Sequence, residues 1–435
     1  MRRLFIITML LCITMAASAS KAVGRKMTVT LADGRTVTAT MRGDENFHAM
    51  VASTGEIIVR DGDKWRTVTE AEQAEQQAAM AKGVALRKAN EAISASYPFP
   101  RTGSPKALVI MVNFADVAFT YTKADIEKLL NSTDYDTTSG NHGYGSARQW
   151  FSDCSNGTYT PQFDVVGPYT LSNPTSYYGG NGSGNAGADK NVVTLMKDAC
   201  AAADADVDFS QYDSNNDGYV DLVYVFYAGY GENWDDGTHP EYIWPKSGVS
   251  SFGTYDGKKT TRYDVSNELM GYPGVEQDLG VDAVPLCGIG VFVHEMSHTI
   301  GLPDLYPTVT WTDVTNYDNQ SLEQWSVLDA GENVNNGFYP TPYTAWERSF
   351  LGWGNTLTEL SVDGQYELKA LIDGGTAYKI LNPNDATKNE YYILENVPNT
   401  AASGWYKKLS GTGMIITHVN YNSSYFSNFS NPNNV

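Results

Sequence analysis

The chain has 435 residues, of which 42% are hydrophobic and 12% aromatic, and this composition fits two or three packed domains rather than a disordered chain. Thirty basic residues against fifty acidic ones give a formal net charge of −20. Such a charge repels nucleic acids and anionic membranes, so we exclude nucleic-acid partners, and it favours a soluble monomer.

The first residues, MRRLFIITMLLCITMAASASKA, have the pattern of a secretory signal peptide. Arg2 and Arg3 precede an apolar run, and Ala17 and Ala19 fit the positions before a signal peptidase site. The run is shorter than the roughly 20 residues that a membrane span requires, and no later segment supplies a span. We expect residues 1–19 to be removed and the protein to be secreted, whether released, periplasmic or held at the cell surface.

Three cysteines remain after the signal: Cys154, Cys200 and Cys287. An odd number in an oxidising compartment permits at most one intrachain disulfide, and the sequence does not choose the pair.

Residues 20–100 form the first predicted unit. Short alternating runs predict small strands, and a long surface helix follows, with Thr67 and Glu70 as its capping box. SYPFPRTGSPK then marks a boundary. Arg101 in this segment is a basic residue where processing could occur, and an ordinary linker arginine is the alternative.

Residues 101–360 form the second predicted unit. ALVIMVNFAD and YVDLVYVFYAG are continuous apolar runs of the kind found in buried strands, and GIGVFVHEMSHTIG predicts a helix that ends at Gly301. The order of strands and helices indicates an α/β (α+β) domain.

Residues 361–435 return to short alternating runs between turns, which predicts a β-rich domain, expected as a β-sandwich. Its polar end is consistent with a truncated domain.

The sequence HEMSH lies within the predicted helix. Residues four apart share one face of a helix, so His294 and His298 can converge on one metal ion while Glu295 reaches a water beside it. Catalytic zinc takes three protein ligands and keeps one position for water. Two histidines packed in an ordinary core helix are the alternative, and this five-residue pattern rarely arises by chance in a chain with six histidines.

The residues alone offer three candidates for the third ligand. Gly301 can end the helix and Pro303 discourages its resumption, so the chain can fold back and present Asp304. Glu347 on the later helix PYTAWERSFLGW and Asp329 are the alternatives.

HEMSHTIGLPDLY, followed by EQWSVLDAGE and YPTPYTAWERSFLGW, resembles the immune inhibitor A family of bacterial secreted zinc metallopeptidases, which are metzincin-like. The likeness extends over ARQWFSDCSNGTYTPQFDVVGPYTL and DSNNDGYVDLVYVFYAGYGE and, more faintly, over GDENFHAMVASTGEIIV. It thus covers most of residues 40–425. It implies a zincin-type metallopeptidase domain after a pro-region. One departure is Leu328, where the clan usually has methionine beneath the metal; similar volumes would preserve an apolar floor.

The resemblance also implies roles for individual residues. His294, His298 and Asp304 would bind zinc, and Glu295 would be the general base. Glu295 would take a proton from a zinc-bound water that attacks the peptide carbonyl, and would pass it to the leaving amine. The expected substrates are proteins or peptides. A catalytically inactive secreted binding protein or adhesin that keeps the fold is the alternative.

Two further expectations concern calcium and latency. DSNNDGYVD has the start of a calcium loop, and an Asn/Asp/Gly turn leading into a strand is its equally weighted alternative. The candidate ligands are Asp213, Asn215, Asp217, Tyr219 and Asp221.

The pro-region contains no cysteine, so a carboxylate or the histidine of RGDENFH is the candidate group that would block the site and keep a zymogen latent.

Overall fold

The structure is a computed structural model that describes residues 16–45, 47–81, 99–133, 143–181, 189–235, 237–307, 322–354, 357–398 and 404–422. Residues 1–15 of the predicted signal peptide lie outside the described residues. Its last four residues are described and form a short strand.

The strands, in chain order, are β1 Ala16–Ala19, β2 Lys26–Thr30, β3 Thr36–Gly43, β4 His48–Ala52, β5 Ile57–Asp61, β6 Lys64–Thr67, β7 Lys106–Asn113, β8 Gln162–Thr170, β9 Tyr219–Val220, β10 Val223–Tyr230, β11 Lys246–Tyr255, β12 Lys258–Leu269, β13 Leu357–Glu359, β14 Ala377–Leu381, β15 Glu390–Val397 and β16 Gly413–Asn420. The α-helices are α1 at residues 70–81, α2 Lys123–Asn131, α3 Ala147–Cys154, α4 Thr175–Tyr178, α5 Val192–Ala203, α6 Val275–Leu279, α7 Gly290–Thr299 and α8 Ala345–Leu351.

The central sheet has the strand order β1-β11-β12-β10-β7-β8, with β9 paired to β12. Strands β12, β10, β7 and β8 run parallel to one another, whereas β11 is antiparallel to β12 and β1 is antiparallel to β11. The predicted α/β character of this region is therefore confirmed. Strand β1, formed by the first described residues, is the edge strand on this side of the sheet and pairs with β11.

Both faces of the central sheet are buried, which explains the continuous apolar runs in the sequence. Successive residues of a strand point to opposite faces, and in β7 Val109 and Met111 enter one core while Leu108 and Ile110 enter the other. Helix α7 packs in the first of these cores and α5 in the second. The sheet thus supplies a rigid base for α7.

A separate five-stranded antiparallel sheet, β2 to β6, precedes the central sheet in sequence. It forms its own apolar core, and Trp244 from the region before β11 is fully buried in that core. The helix that follows, α1, begins two residues later than predicted. Thr69 and Glu72 form the reciprocal cap, because Thr67 is still paired within β6.

After α8 the chain forms one four-stranded sheet, β13 to β16, whose inner face packs on α8 through Ala345. One of the alternating runs of this region, QYELKAL, has no regular strand structure. The described residues of this region form a single sheet, so the sandwich stays a prediction. None of the described helices is long and apolar enough to cross a membrane.

Candidate metal centre

Helix α7 carries HEMSH and is buried along its whole length, including both histidines and the glutamate. Its first residue is Gly290, where a Cβ atom would lie 1.9 Å from the carbonyl oxygen of Glu332. The helix ends because Gly301 has φ +98°, a left-handed conformation that favours glycine. This turn sends the chain back toward the helix, as the sequence predicted.

Three ligand atoms converge after that turn. The Nε2 atoms of His294 and His298 are 3.1 Å apart, and Asp304 Oδ1 is 3.3 Å from each of them. Both rings are oriented by their other nitrogen: His294 Nδ1 is 2.7 Å from the carbonyl oxygen of Val327, and His298 Nδ1 is 2.8 Å from that of Leu302. Because each Nδ1 donates its proton to a carbonyl, each Nε2 of a neutral ring presents a lone pair to the same point.

This arrangement fits a zinc ion. Zinc bonds nitrogen and carboxylate oxygen at about 2.0 Å, so neighbouring tetrahedral ligands are spaced about 3.3 Å apart. Asp304 Oδ1 is buried without a hydrogen-bond partner among the described residues. A single cation among these three atoms would satisfy the carboxylate oxygen and both imidazole nitrogens at once.

The electrostatics of the site also favour a cation. Burial lowers the pKa of His294, but the carboxylates of Glu332, Asp304 and Glu295 raise it, and the net pKa lies well above its usual value. Burial acts in the opposite direction on Asp304, yet His298 and His294 hold the pKa of that carboxyl below its usual range. Negative charge therefore surrounds the two imidazoles in a site closed to solvent.

Glu295 lies beside the ligand atoms, and burial raises its pKa well above the usual value. Its Oε1 atom accepts hydrogen bonds from the backbone N–H and from the hydroxyl of Ser20, both at 2.8 Å. The carbonyl oxygen of Ser20 accepts a hydrogen bond from Trp244 Nε1 at 2.9 Å. The chain directly after β1 therefore crosses the candidate metal centre.

The residue that contacts Glu295 is thus Ser20, and the expectation of a blocking group from RGDENFH is wrong for this contact. His48 from that segment pairs instead with Glu232, at 3.1 Å, and stacks on Trp244. A serine near the predicted signal peptidase site offered no sequence signal for this role.

Glu332 is a second feature that the sequence did not indicate. Its Oε2 atom lies 3.6 Å from His294 Nδ1, it is fully buried, and burial raises its pKa to about 7. It comes from the short 3₁₀ helix Ala330–Asn333, whose contact with α7 follows from tertiary packing. No spacing relative to HEMSH would have identified it.

The two alternative third ligands have other partners. Glu347 forms the capping box of α8 with Thr344, and its Oε1 atom accepts a hydrogen bond from Ser326 at 2.6 Å. Asp329 accepts backbone hydrogen bonds from Leu322 and Glu323. Among the described residues, Asp304 is the carboxylate that the fold brings to both histidines. Leu328 is fully buried in the core beneath α7, so the floor of the site is apolar.

The candidate calcium loop is folded as a turn with internal hydrogen bonds. Asp213 accepts from the backbone N–H groups of Asp217 and Gly218 and from the ammonium group of Lys258, whose Nζ is 2.6 Å away. Asp221 accepts from the backbone of Ser214. Asn215 and Tyr219 both hydrogen-bond to Asp217 rather than to a shared centre. This geometry favours the turn, and calcium binding stays a prediction.

Arg101 is partly buried, and its carbonyl oxygen accepts a hydrogen bond from Trp353 Nε1 at 2.7 Å. Its guanidinium group lies over the ring of Phe350, 5.2 Å from the ring centre. It is therefore anchored rather than freely exposed for processing.

The three cysteines Cys154, Cys200 and Cys287 are free thiols and form no disulfide with one another.

Two imidazoles and a carboxylate at tetrahedral spacing, with a glutamate beside them on the same helix, define a candidate metal centre of the metallopeptidase class. Residues 101–353 match the family described as "Immune inhibitor A peptidase M6, catalytic domain", and since they are more than half of the chain, the chain belongs to this family. The family predicted from the sequence is thus confirmed.

Two relatives show how far this similarity extends. The chain is 25% identical over 279 residues to "Pre-pro-metalloprotease PrtV" of Vibrio cholerae serotype O1 (strain M66-2), which covers 57% of this chain and 29% of that protein. It is 26% identical over 290 residues to "Immune inhibitor A" of Bacillus thuringiensis subsp. alesti, which covers 57% of this chain and 39% of that protein. The chain therefore spans only about a third of the length of these relatives.

Proposed function

We propose that this protein is a secreted zinc-dependent endopeptidase that hydrolyses peptide bonds in proteins. The observation that carries the proposal is the set of three ligand atoms, 3.1 to 3.3 Å apart, next to the buried carboxylate of Glu295. Secretion is supported by the signal-like first residues, and metallopeptidase chemistry by the family.

His294, His298 and Asp304 would hold the zinc ion. When bound, zinc supplies Lewis-acid polarisation of the peptide carbonyl and acidifies water. Glu295 acts as general base on the attacking water and then returns the proton to the leaving nitrogen. The Ser20 contact supports this second role, because a backbone nitrogen already lies 2.8 Å from Glu295 Oε1.

The direction of a bound substrate follows from β1. This strand pairs antiparallel with β11, with Ala19 opposite Lys246, and the next residue reaches Glu295. An extended substrate can add to β11 in the same way, since backbone hydrogen bonds of an edge strand bind any sequence. The site is therefore suited to cleavage within a protein chain.

The same contact supports latency. With Ser20 on Glu295 and Lys21 paired with Asp329, a substrate cannot occupy this part of the cleft, and both residues stay in the chain after removal of residues 1–19. Lys21 holds the segment in place through an ion pair with Asp329, whose carboxylate is fully buried. Cleavage after Ala19, at the predicted signal peptidase site, would leave a primary amine at Ser20 beside Glu295. We therefore propose that the secreted form is a zymogen.

The test is to measure zinc content and casein hydrolysis with the full chain, in wild type and in Lys21→Glu, with and without the chelator phenanthroline. We expect about one zinc ion per chain in both proteins and hydrolysis that the chelator abolishes. Zinc without hydrolysis in both proteins would favour the catalytically inactive binding protein. Absence of zinc would contradict the metal centre.

A further inference from the structure

Lys21, the residue after Ser20, fills an acidic pocket next to the candidate metal centre. Its Nζ atom is 3.0 Å from Asp329 Oδ1 and 3.4 Å from Glu323 Oε1. The lysine side chain is 22% exposed, that of Glu323 37%, and that of Asp329 is fully buried. Burial lowers the pKa of Lys21, but the two carboxylates raise it further, so the net pKa is above the usual value.

Asp329 is fixed in this pocket before any ligand arrives. Its Oδ2 atom accepts from the backbone N–H of Leu322 at 3.0 Å and of Glu323 at 2.7 Å, and its Oδ1 atom accepts from Ala330 at 2.8 Å. Within the described residues, Lys21 is the cation that pairs with it. A buried carboxylate held by backbone donors is a preorganised partner for a basic side chain, and it is costly to leave without one.

The backbone positions assign this pocket to a substrate residue. In the proposed reaction Glu295 returns a proton to the leaving nitrogen, and the nitrogen at that place is Ser20 N. Ser20 therefore occupies the place of the first residue after the cleaved bond, and Ala19, paired with β11, occupies the place of the residue before it. Lys21 occupies the second place after the bond.

We propose that Asp329 and Glu323 form a specificity pocket that selects lysine or arginine at the second residue after the cleaved bond. This inference rests on the proposed function, because it takes the place of the leaving nitrogen from the role of Glu295. A site built for a charged group discriminates strongly against a substrate that leaves the carboxylates unpaired. Lys21 is then a basic side chain of the chain itself bound where a substrate side chain binds.

The test uses the full zinc-loaded chain with Lys21→Glu, which removes the lysine and leaves both pocket carboxylates in place. Quenched peptides carry the sequence Ala-Ala-Ser-Ala-Ser-X-Ala-Val, taken from residues 16–23, with X as lysine, arginine, norleucine or glutamate. We expect cleavage between the fourth and fifth residues of the peptide, which correspond to Ala19 and Ser20. The kcat/KM for lysine and arginine should be at least about tenfold above that for norleucine, and that for glutamate should be lowest. Equal rates for lysine and norleucine would overturn the pocket.

Variants of the pocket sharpen the test. Glu323→Gln is expected to lower the ratio of lysine to norleucine rates roughly two- to fivefold, as for a partly exposed ion pair, and Glu323→Lys to lower it further. Asp329→Asn is expected to abolish the preference, with near-UV circular dichroism to check folding. Glu127→Gln, at an exposed position of α2 paired with Lys123, is the matched control and should keep the parent ratio. An unchanged ratio in the Glu323 variants would contradict the proposal.

A failure of the proposed function gives a different result. If neither casein nor any peptide is cleaved, the peptidase assignment fails, and the pocket is judged by binding instead. Calorimetry with Glu295→Gln in the same background should show at least about tenfold tighter binding of the lysine peptide than of the norleucine peptide. Equal binding of the two peptides overturns the pocket whatever the activity.

Discussion

Asp304 is the residue on which the metal assignment depends most. Its Oδ1 atom lies 3.3 Å from both histidine Nε2 atoms and has no hydrogen-bond partner among the described residues. The sequence also offered Glu347 and Asp329, and only the turn at Gly301 decides between them. A one-dimensional spacing gives the reach of a chain, whereas the direction of a side chain after a turn depends on packing.

We therefore predict that Asp304→Asn lowers zinc affinity at least about 100-fold, because even partners outside the ligand set are worth 10- to 100-fold. The measurement is competitive titration with a chromogenic zinc chelator. Glu347→Gln is the control and should keep zinc, since Glu347 caps α8. Retained zinc in Asp304→Asn together with loss in Glu347→Gln would reverse the assignment.

At the scale of elements, the sequence predicted what depends on local pattern. The buried strands β7 and β10 and the helix α7 lie close to the expected positions, because continuous apolar runs and a glycine at the helix end are local signals. The pairing of β1 with β11 joins residues more than 200 apart and has no local signal. Ser20, Lys21 and Glu332 escaped prediction for the same reason.

The segment after β1 gives a prediction for latency. Lys21→Glu places a third carboxylate against Asp329 and Glu323, so the segment should leave the cleft more often. We expect casein hydrolysis by the full chain to rise at least about tenfold, since breaking a buried ion pair costs several kcal/mol.

Lys26→Glu is the matched control, because it makes the same charge change at an exposed lysine that begins β2. Equal activity of both variants and wild type would argue against a block by Ser20 and Lys21.

At the scale of the whole molecule, the β2 to β6 sheet is joined to the peptidase region by a buried histidine. His48 lies in a set of polar and aromatic partners formed by Glu232, Asp189, the Asp44 carbonyl and the stacked ring of Trp244. Burial lowers the pKa of His48, but Glu232, the Asp44 carbonyl and Asp189 together raise it, so the pKa in the folded protein exceeds the usual 6.5.

A group with a raised pKa in the folded state stabilises the protein fully below its unfolded pKa, and this stability is lost as pH rises through the folded value. We expect His48→Gln to flatten the fall of Tm as the pH rises above about 6.5, because glutamine does not titrate; each kcal/mol involved corresponds to roughly 2 to 4 °C. The measurement is Tm against pH by differential scanning fluorimetry.

His418→Gln, an exposed histidine paired with Glu390, should leave the pH slope of wild type unchanged. If His48→Gln and wild type show the same slope, then His48 does not couple protonation to the packing of the β2 to β6 sheet.

The most direct test of the peptidase centre compares Glu295→Gln with its parent, both carrying Lys21→Glu so that the cleft is open. The amide cannot take a proton from water, while His294, His298 and Asp304 are untouched. We predict an unchanged zinc content and a fall in casein turnover of at least about 100-fold. Near-parent turnover by the zinc-loaded variant would contradict the proposed mechanism, because Glu295 would then have no part in the chemistry.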